Sequence, residues 1–204
     1  DAAPQCFGGM LQGPAVLILP VDISKTEVKD EVSYSVHFPK PVRRPNDVEL
    51  QQAAQIIAQG KKVGIYAGMG SEGAHDLLIK LAKKLNAPIA HTSRAKDFVE
   101  YDNPYNVGMT GLLGVHSGFH MMNNCDTLIL LGADFAWGQF YPQHAKIIQI
   151  DRDASRLGRR HPVTLGLDGD VIPSLEALIP LLADRSDDAF LKECMNERES
   201  TVKD

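Results

Sequence analysis

The amino-acid sequence predicts an α/β protein, and three observations lead to that class. Continuous apolar runs at Val63–Ala67, Thr127–Leu131 and 146–150 are typical of strands buried on both faces of a sheet. Segments with apolar residues at helical spacing alternate with these runs, which favours parallel strands joined by helices. A glycine-rich turn at 68–73 directly follows the first run and opens a helix. We therefore expect a Rossmann-like open parallel sheet with helices on both faces, a three-layer α/β/α arrangement.

The composition is that of an ordinary globular protein and argues against nucleic-acid binding. The 204 residues are 44% hydrophobic and 23% charged, which suits one domain of typical size with tails. The formal net charge is −5, and the sequence has no basic stripe. The densest basic cluster is interrupted by Asp151 and Asp153, which favours a solvated loop; it consists of Arg152, Arg156, Arg159, Arg160 and His161.

The first 46 residues carry weaker structural signals. The apolar run 15–19 is bracketed by prolines and predicts a strand, with no helix beside it to complete a unit. Residues 24–46 are polar, and their closely spaced prolines hold the backbone extended, which predicts a linker. The sequence begins without an initiator Met or the basic start of a signal peptide, so we expect it to be the interior of a longer chain.

From residue 46 onward the pattern becomes regular. Asn46 or Asp47 is expected to cap a helix that ends at Gly60, just before the strand Val63–Ala67. A second helix follows the glycine turn, and Asn86 ends it. Further strands are predicted at 88–92, Thr127–Leu131, 146–150 and, more weakly, 163–167, with helices at 117–124 and 171–182 and a charged, weakly helical segment beyond 183.

The turn Gly68-Met69-Gly70-Ser71-Glu72-Gly73 is the sharpest local signal for a ligand site. Glycines let the backbone approach a phosphate, and the free N–H groups and dipole at a helix start favour its negative charge. The usual dinucleotide site also needs an acidic residue at the end of the next strand, and the predicted strand 88–92 offers none. A plain NAD site is therefore disfavoured, and a tight turn without a ligand stays open as an alternative.

Three further places can contact a ligand at the carboxyl ends of strands. Asp151 ends the run KIIQI, where it can accept hydrogen bonds from a ribose or an adenine, or simply stabilise a loop. The loop 106–114 contains three glycines, which indicates either backbone packed against a flat or bulky group or a flexible connection. Of the aromatic pair after the run TLILL, Phe135 is expected to pack in the core, whereas the role of Trp137 stays open.

The sequence offers no catalytic or metal-binding constellation. Its three cysteines are scattered without a CxxC motif, which argues against disulfides and zinc and fits a reducing, cytoplasmic compartment. His116 and His120 lie four residues apart on a predicted helix, but no third ligand is evident in the sequence. We therefore assign no metal ligand. Because no nucleophile stands beside a base, we also assign no catalytic residue and expect the chain to bind a ligand without catalysing its conversion.

Three stretches of the sequence resemble a known enzyme family. EYDNPYNVGMTGLLGVHSG at 100–118 and TLILLGADFAWGQFYPQHAKIIQID at 127–151 are similar to the central domain of pyruvate oxidases and quinone-linked pyruvate dehydrogenases, which depend on thiamine diphosphate. GPAVLILPVDI at 13–23 resembles the last strand of the pyrimidine-binding domain that precedes it in these enzymes. The resemblance extends over about residues 13–195.

The resemblance implies a domain organisation. It places the tail end of the pyrimidine-binding domain at 1–23, a linker at 24–46 and the central FAD-binding domain at 47–185. Residues 186–204 are then expected to start the linker to the diphosphate-binding domain. The expected protein partners are these flanking domains and identical subunits in a homotetramer, with any membrane contact made through other regions, peripheral to the inner membrane.

The resemblance also implies the chemistry. Family members oxidatively decarboxylate pyruvate and pass the electrons through FAD to quinone or oxygen. Thiamine diphosphate and Mg²⁺ bind outside the central domain, so this chain alone is expected to be inactive. Carried over position by position, the FAD contacts fall on Gly68, Gly70, Thr110, Gly111, Leu112, Leu113, Ala133, Asp134, Phe135, Ala136, Trp137 and Asp151.

Two other functions stay open at this point. One is the central domain of a non-redox relative, of the acetolactate synthase or oxalyl-CoA decarboxylase type, which holds FAD structurally or binds ADP. The other is a structural spacer that mediates contacts between subunits. The string NPYNVGMTGL favours the pyruvate oxidoreductase, because the non-redox relatives are less similar there.

Overall fold

The computed structural model describes residues 16, 18–27, 39 and 41–203, with side chains as far as residue 200. The chain divides into two units, residues 1–42 and 43–204. In the first unit, Val21–Ser24 form a single helical turn. Among the described residues, no helix combines the length and the apolar character that crossing a membrane requires.

The strand predicted at 15–19 is not formed by the residues that the structure describes there. Ala15 and Leu17 lie outside the described residues, while Val16, Ile18 and Leu19 belong to no strand and are exposed. A strand needs a neighbouring strand for its backbone hydrogen bonds, and the described part of the first unit contains none. Of the predicted linker, residues 28–38 and 40 also lie outside the described residues, and residues 41–46 form neither helix nor strand.

The second unit is built on a six-stranded parallel sheet, which confirms the predicted fold class. The order of the strands is β3-β2-β1-β4-β5-β6, so the chain runs outward from β1 to one edge and then returns to continue on the other side. The direction of winding reverses between β1 and β4, and such a switch point opens a crevice at the carboxyl ends of the strands. The strands are β1 (Val63–Ala67), β2 (Ile89–His91), β3 (Asn106–Met109), β4 (Thr127–Leu131), β5 (Lys146–Asp151) and β6 (Leu165–Asp168).

In the described part of this unit, one helix precedes the strands and five connect or follow them, and the ends of the first two helices carry the expected signals. Asn46 caps the first helix, since its side chain accepts from the Glu49 N–H while the Glu49 carboxylate accepts from the Asn46 N–H. Asn86 ends the second helix in the left-handed conformation, with a φ of 46°. The helices are α1 (Asp47–Gln59), α2 (His75–Leu85), α3 (Lys96–Val99), α4 (His116–Asn124), α5 (Val171–Leu178) and α6 (Ala189–Lys203).

The described residues form two hydrophobic clusters on opposite faces of the sheet. Strand side chains alternate between the faces, so Ile65 of β1 joins the cluster under α1, α2 and α5, while Tyr66 joins the other cluster. This second cluster includes Met121 and Met122 of α4 and Phe190 and Cys194 of α6. Helices therefore cover both faces of the sheet, as predicted.

Two elements differ from the sequence-based expectation. The glycine-rich loop predicted at 106–114 begins with strand β3, in which Asn106 pairs with Ile89 of β2. The segment 186–204 contains α6, as its weakly helical pattern predicted; Phe190 and Cys194 of this helix are buried, and the linker assignment of the segment stays a prediction. The predicted helix 171–182 ends at Leu178 and continues as the 3₁₀ turn Ile179–Leu181.

Candidate functional site

A cavity of about 510 Å³ lies at the carboxyl ends of the central strands. Its volume is within the usual range for small-molecule and cofactor sites. Nine of the twelve predicted cofactor-binding residues line it: Thr110, Gly111, Leu112, Leu113, Ala133, Asp134, Phe135, Ala136 and Trp137. Gly68, Gly70 and Asp151 are not among the lining residues, whereas Met69, Thr92, Ser93, Arg94, Met109, Gly132 and Arg156 are additional ones.

The glycines of the first turn serve close backbone packing. The Gly68 N–H donates to the Leu131 carbonyl at 2.8 Å, and the Gly70 N–H donates to the Gly132 carbonyl at 2.9 Å. A Cβ atom on Gly68 would lie 2.5 Å from the Cα of Ala133, and one on Gly70 would lie 2.7 Å from the Cα of Gly132. These two N–H groups are therefore already used, and the turn holds the loop after β4 in place instead of offering them to a phosphate.

Two threonine hydroxyls on the cavity wall have no hydrogen-bond partner within the described residues. The Oγ1 atoms of Thr92, after β2, and Thr110, after β3, are both buried and unpaired. A buried hydroxyl without a partner costs about 1–3 kcal/mol relative to a satisfied one, so a polar ligand in the cavity would remove this cost. Thr92 and Thr110 therefore give the wall of the cavity two unsatisfied polar groups.

The loop after β3 gives the cavity an apolar rim. Gly111 has a φ of 124°, a conformation that favours glycine, and a Cβ there would touch the Phe135 ring at 3.5 Å. Leu112 and Leu113 are largely exposed, and Trp137 is 42% exposed. Phe135 is buried in the second core cluster, as expected, and it also reaches the cavity wall. This rim offers flat apolar surface to a ring system.

Arginines provide the positive charge of the site. The Asp134 carboxylate accepts hydrogen bonds from Arg159 and, at 2.9 Å, from Arg160 Nε. Burial raises the pKa of Asp134, but the hydrogen bonds from Arg160 and Arg159 outweigh it, and the pKa lies below its ordinary value. Arg156 lines the cavity while its Nε contacts Asp153 at 3.2 Å. The Asp134 carboxylate is thus paired with Arg159 and Arg160, whereas the terminal N–H groups of Arg156 are left to donate to an anion.

Arg94 is a second cation of the cavity wall, and the sequence analysis did not predict it. It lies in the 3₁₀ turn Ser93–Ala95 after β2, is exposed, and lines the cavity. No described residue forms an ion pair or hydrogen bond with its side chain. The only signal available in the sequence was its position two residues beyond the predicted strand 88–92. Arg94 and Arg156 together make the cavity suitable for a negatively charged ligand.

Asp151 ends β5 and is 2% exposed. Its Oδ1 accepts the Asp153 N–H at 2.9 Å, while its Oδ2 is buried without a partner in the described part of the chain. Burial raises the pKa of this carboxyl above its ordinary value, against the opposing effects of the Asp153 N–H and Arg156. The residue does not line the cavity, and its ligand-binding role stays a prediction.

The strand order and the cavity define a doubly wound α/β domain with a crevice at its switch point. Residues 50–178 match the family described as "Thiamine pyrophosphate enzyme, central domain". The chain belongs to this family of enzymes, which depend on thiamine pyrophosphate, the cofactor also called thiamine diphosphate. The family resemblance read from the sequence is therefore confirmed at this level.

Individual relatives are similar over most of the chain. An "Uncharacterized 42.6 kDa protein in isoamylase 3'region" of Pseudomonas amyloderamosa is 46% identical over 91% of this chain and 47% of its own length. The "Putative thiamine pyrophosphate-containing protein YdaP" of Bacillus subtilis is 34% identical over 90% of this chain and 32% of its own. A "Probable acetolactate synthase large subunit" of Methanocaldococcus jannaschii is 29% identical over 83% of this chain and 31% of its own. The chain thus spans from about a third to a half of the length of these relatives.

Proposed function

We propose that this chain is the FAD-binding central domain of a thiamine diphosphate-dependent pyruvate oxidoreductase. The observation that carries the proposal is the switch-point cavity, which brings together nine residues predicted from the resemblance and adds two arginines. The nine residues come from two loops that are distant in sequence, after β3 and after β4. Their convergence on one cavity supports a common ligand.

The residues around the cavity fit the parts of a flavin dinucleotide. The guanidinium groups of Arg94 and Arg156 would hold the diphosphate, and the unpaired hydroxyls of Thr92 and Thr110 would bind its oxygens or neighbouring polar groups. The apolar rim formed by Leu112, Leu113 and Trp137 would contact a ring. Asp151 would accept a hydrogen bond from the adenosine portion through its free oxygen.

Bound FAD would accept the electrons of oxidative pyruvate decarboxylation and deliver them to quinone or oxygen. The residues of this chain contribute binding and orientation, since none of the lining side chains forms a nucleophile–base pair. Thiamine diphosphate, Mg²⁺, the flanking domains and identical subunits complete the proposed enzyme. Its proposed location is the cytoplasm.

A second candidate is the central domain of an acetolactate synthase-type enzyme, in which FAD or ADP has a structural role. The relative from Methanocaldococcus jannaschii, whose name says acetolactate synthase, supports this candidate. Both candidates place a nucleotide in the same cavity, and they differ in whether the flavin ring contributes to binding. The spacer function predicts no nucleotide binding.

Titration of the purified chain with FAD, ADP and NAD, followed by calorimetry and flavin fluorescence, tests the proposal. We expect saturable FAD binding, tighter than ADP and far tighter than NAD. Arg94→Gln should weaken FAD binding about tenfold, which is the loss of roughly 1.4 kcal/mol from a charge-assisted contact. The matched control is Arg44→Gln, an exposed arginine that pairs with Asp47 on α1 and does not line the cavity.

The alternatives give distinct results in the same titration. Equal affinities for ADP and FAD would favour the acetolactate synthase type, because the flavin ring then adds nothing. Absence of binding by all three nucleotides would contradict a nucleotide site in this chain and favour the spacer. A loss of affinity in Arg44→Gln as large as in Arg94→Gln would mean that general electrostatics, and not the cavity, attracts the ligand.

A further inference from the structure

Two histidines of α4 face two glutamates of α6 on the side of the domain covered by the second core cluster. His116 Nε2 lies 3.4 Å from an oxygen of Glu197, and His120 Nε2 lies 2.8 Å from an oxygen of Glu193. Each pair of like residues is separated by one helical turn, so all four side chains lie along the contact between the two helices. Nitrogen and oxygen atoms of His116, His120 and Glu197 all lie within 4.8 Å of one another.

The backbone beneath this cluster is held firmly. The Ser117 hydroxyl donates to the Val107 carbonyl of β3 at 2.6 Å, which fixes the start of α4 on the sheet. A Cβ on Gly118 would lie 2.6 Å from the Met109 carbonyl oxygen, so the helix rests directly on the strand. On α6, Phe190 and Cys194 are buried in the core. The packing of α4 and α6 on the sheet therefore sets where the four side chains start, independently of the contacts that they make with one another.

We propose that His116, His120 and Glu197 form a binding site for a divalent transition-metal ion of the zinc type. Two imidazoles and one carboxylate are a ligand set that such ions use, with a fourth position open to water. Donor atoms around a tetrahedral zinc ion lie about 3–3.5 Å apart, given bond lengths of about 2.0–2.1 Å. The observed spread of 4.8 Å is closed by small rotations of three partly exposed side chains.

Glu193 acts as a positioning residue in this site. One of its oxygens contacts His120 Nε2, which leaves Nδ1 of that imidazole for the metal, and the other lies 3.2 Å from the Nζ atom of Lys62, which itself lies over the Phe190 ring. A carboxylate held in this way orients the imidazole of a metal-binding histidine. None of these residues lines the switch-point cavity, so the proposed metal site is independent of the proposed nucleotide site.

The test uses the untagged chain after treatment with a chelator. Zn²⁺ is titrated by calorimetry, and Co²⁺ is titrated by visible absorption, which reports the ligand field directly. We expect one saturable equivalent in each case and a Co²⁺ spectrum with imidazole ligands. His116→Gln and Glu197→Gln should each weaken Zn²⁺ binding at least about tenfold. The matched controls His144→Gln and Glu176→Gln, both exposed and outside the cluster, should bind like the parent chain.

Two results would overturn the proposal. The first is the absence of saturable Zn²⁺ and Co²⁺ binding, which would leave the four side chains as two histidine–glutamate ion pairs that join α4 to α6. The second is equal binding by the parent chain and by both His116→Gln and Glu197→Gln, which would place the metal elsewhere. Circular dichroism of each variant shows whether it is folded, and the Co²⁺ spectrum of the parent chain tests the ligand set without any substitution.

Discussion

At the residue scale, Asp151 has one carboxylate oxygen used in a local turn and one without a partner in the described structure. Its Oδ1 stabilises the turn after β5 through the Asp153 N–H, while its Oδ2 is buried without a partner in the described structure. The neighbouring strand β6 ends at the same level with Asp168, whose side chain is exposed and pairs with Arg43. Two aspartates in equivalent positions thus differ in burial, and only Asp151 retains an unsatisfied oxygen.

We predict that Asp151→Asn keeps the fold stable while weakening nucleotide binding. Because burial raises the pKa of Asp151, the folded chain binds a proton more readily than the unfolded chain. The ionised carboxylate therefore lowers the free energy of unfolding above that raised pKa, and the effect disappears as the pH falls below about 3.9, the unfolded value. The variant should be as stable as the parent chain at pH 7 or more stable by about 1 kcal/mol, with the difference vanishing in acid.

Urea denaturation between neutral and acid pH, with FAD titration at neutral pH, measures both effects. Asp168→Asn is the matched control and should change neither the FAD affinity nor the pH dependence that belongs to Asp151. If Asp151→Asn is less stable than the parent chain at pH 7, the carboxylate has a stabilising partner and the free-oxygen argument fails.

At the scale of elements, the contact between the turn after β1 and the loop after β4 shapes the crevice. Gly68 and Gly70 bring two stretches of backbone within hydrogen-bonding distance, and this contact sets the position of Ala133 and the residues that follow. The glycine pattern predicts a tight turn, but the backbone that the turn contacts, Leu131 and Gly132, is distant in sequence, so the pattern alone does not tell a phosphate from a peptide backbone.

We predict that Gly68→Ala destabilises the domain by about 1–3 kcal/mol, because its Cβ would overlap the backbone of Gly132 and Ala133. Gly138→Ala is the matched control, since a Cβ there meets nothing within 4 Å. Its free energy of unfolding should be unchanged or slightly higher. Chemical denaturation of both variants decides the matter: similar stabilities would mean that the turn adapts and that close packing does not explain the glycine.

The sequence predicts five of the six strands, and the physical properties of β3 explain the exception. A long apolar run such as Thr127–Leu131 predicts a buried strand directly, whereas β3 is four residues long and contains Gly108 with a φ of 93°. Its strand geometry comes from pairing with β2, which is a tertiary contact.

The arginines of the candidate site were missed for a related reason. Arg94 and Arg156 lie in short 3₁₀ turns whose direction is set by the sheet and leaves no periodic pattern.

At the scale of the whole molecule, α6 extends the packed part of the domain beyond residue 185. The second core cluster contains Phe190 and Cys194, and the charged face of the same helix meets His116 and His120 of α4. The sequence pattern predicts a charged, weakly helical segment at this position, and the family resemblance implies a linker. The packing of two buried side chains holds this segment on the domain, because burying a phenylalanine alone contributes about 2–3 kcal/mol.

Deletion of residues 186–204 should therefore destabilise the domain substantially. Losing the buried Phe190 and Cys194 exposes the apolar surface of α4 and costs at least about 3 kcal/mol, which corresponds to a fall in the unfolding midpoint of roughly 6–12 °C. Deletion of residues 1–42 is the comparison, since every described member of the two core clusters lies beyond residue 42. It should shift the midpoint by less than about 2 °C. Calorimetry of the three chains tests whether α6 stabilises the domain. Equal unfolding midpoints for the parent chain and the 186–204 deletion would mean that α6 contributes no stability and acts only as a linker.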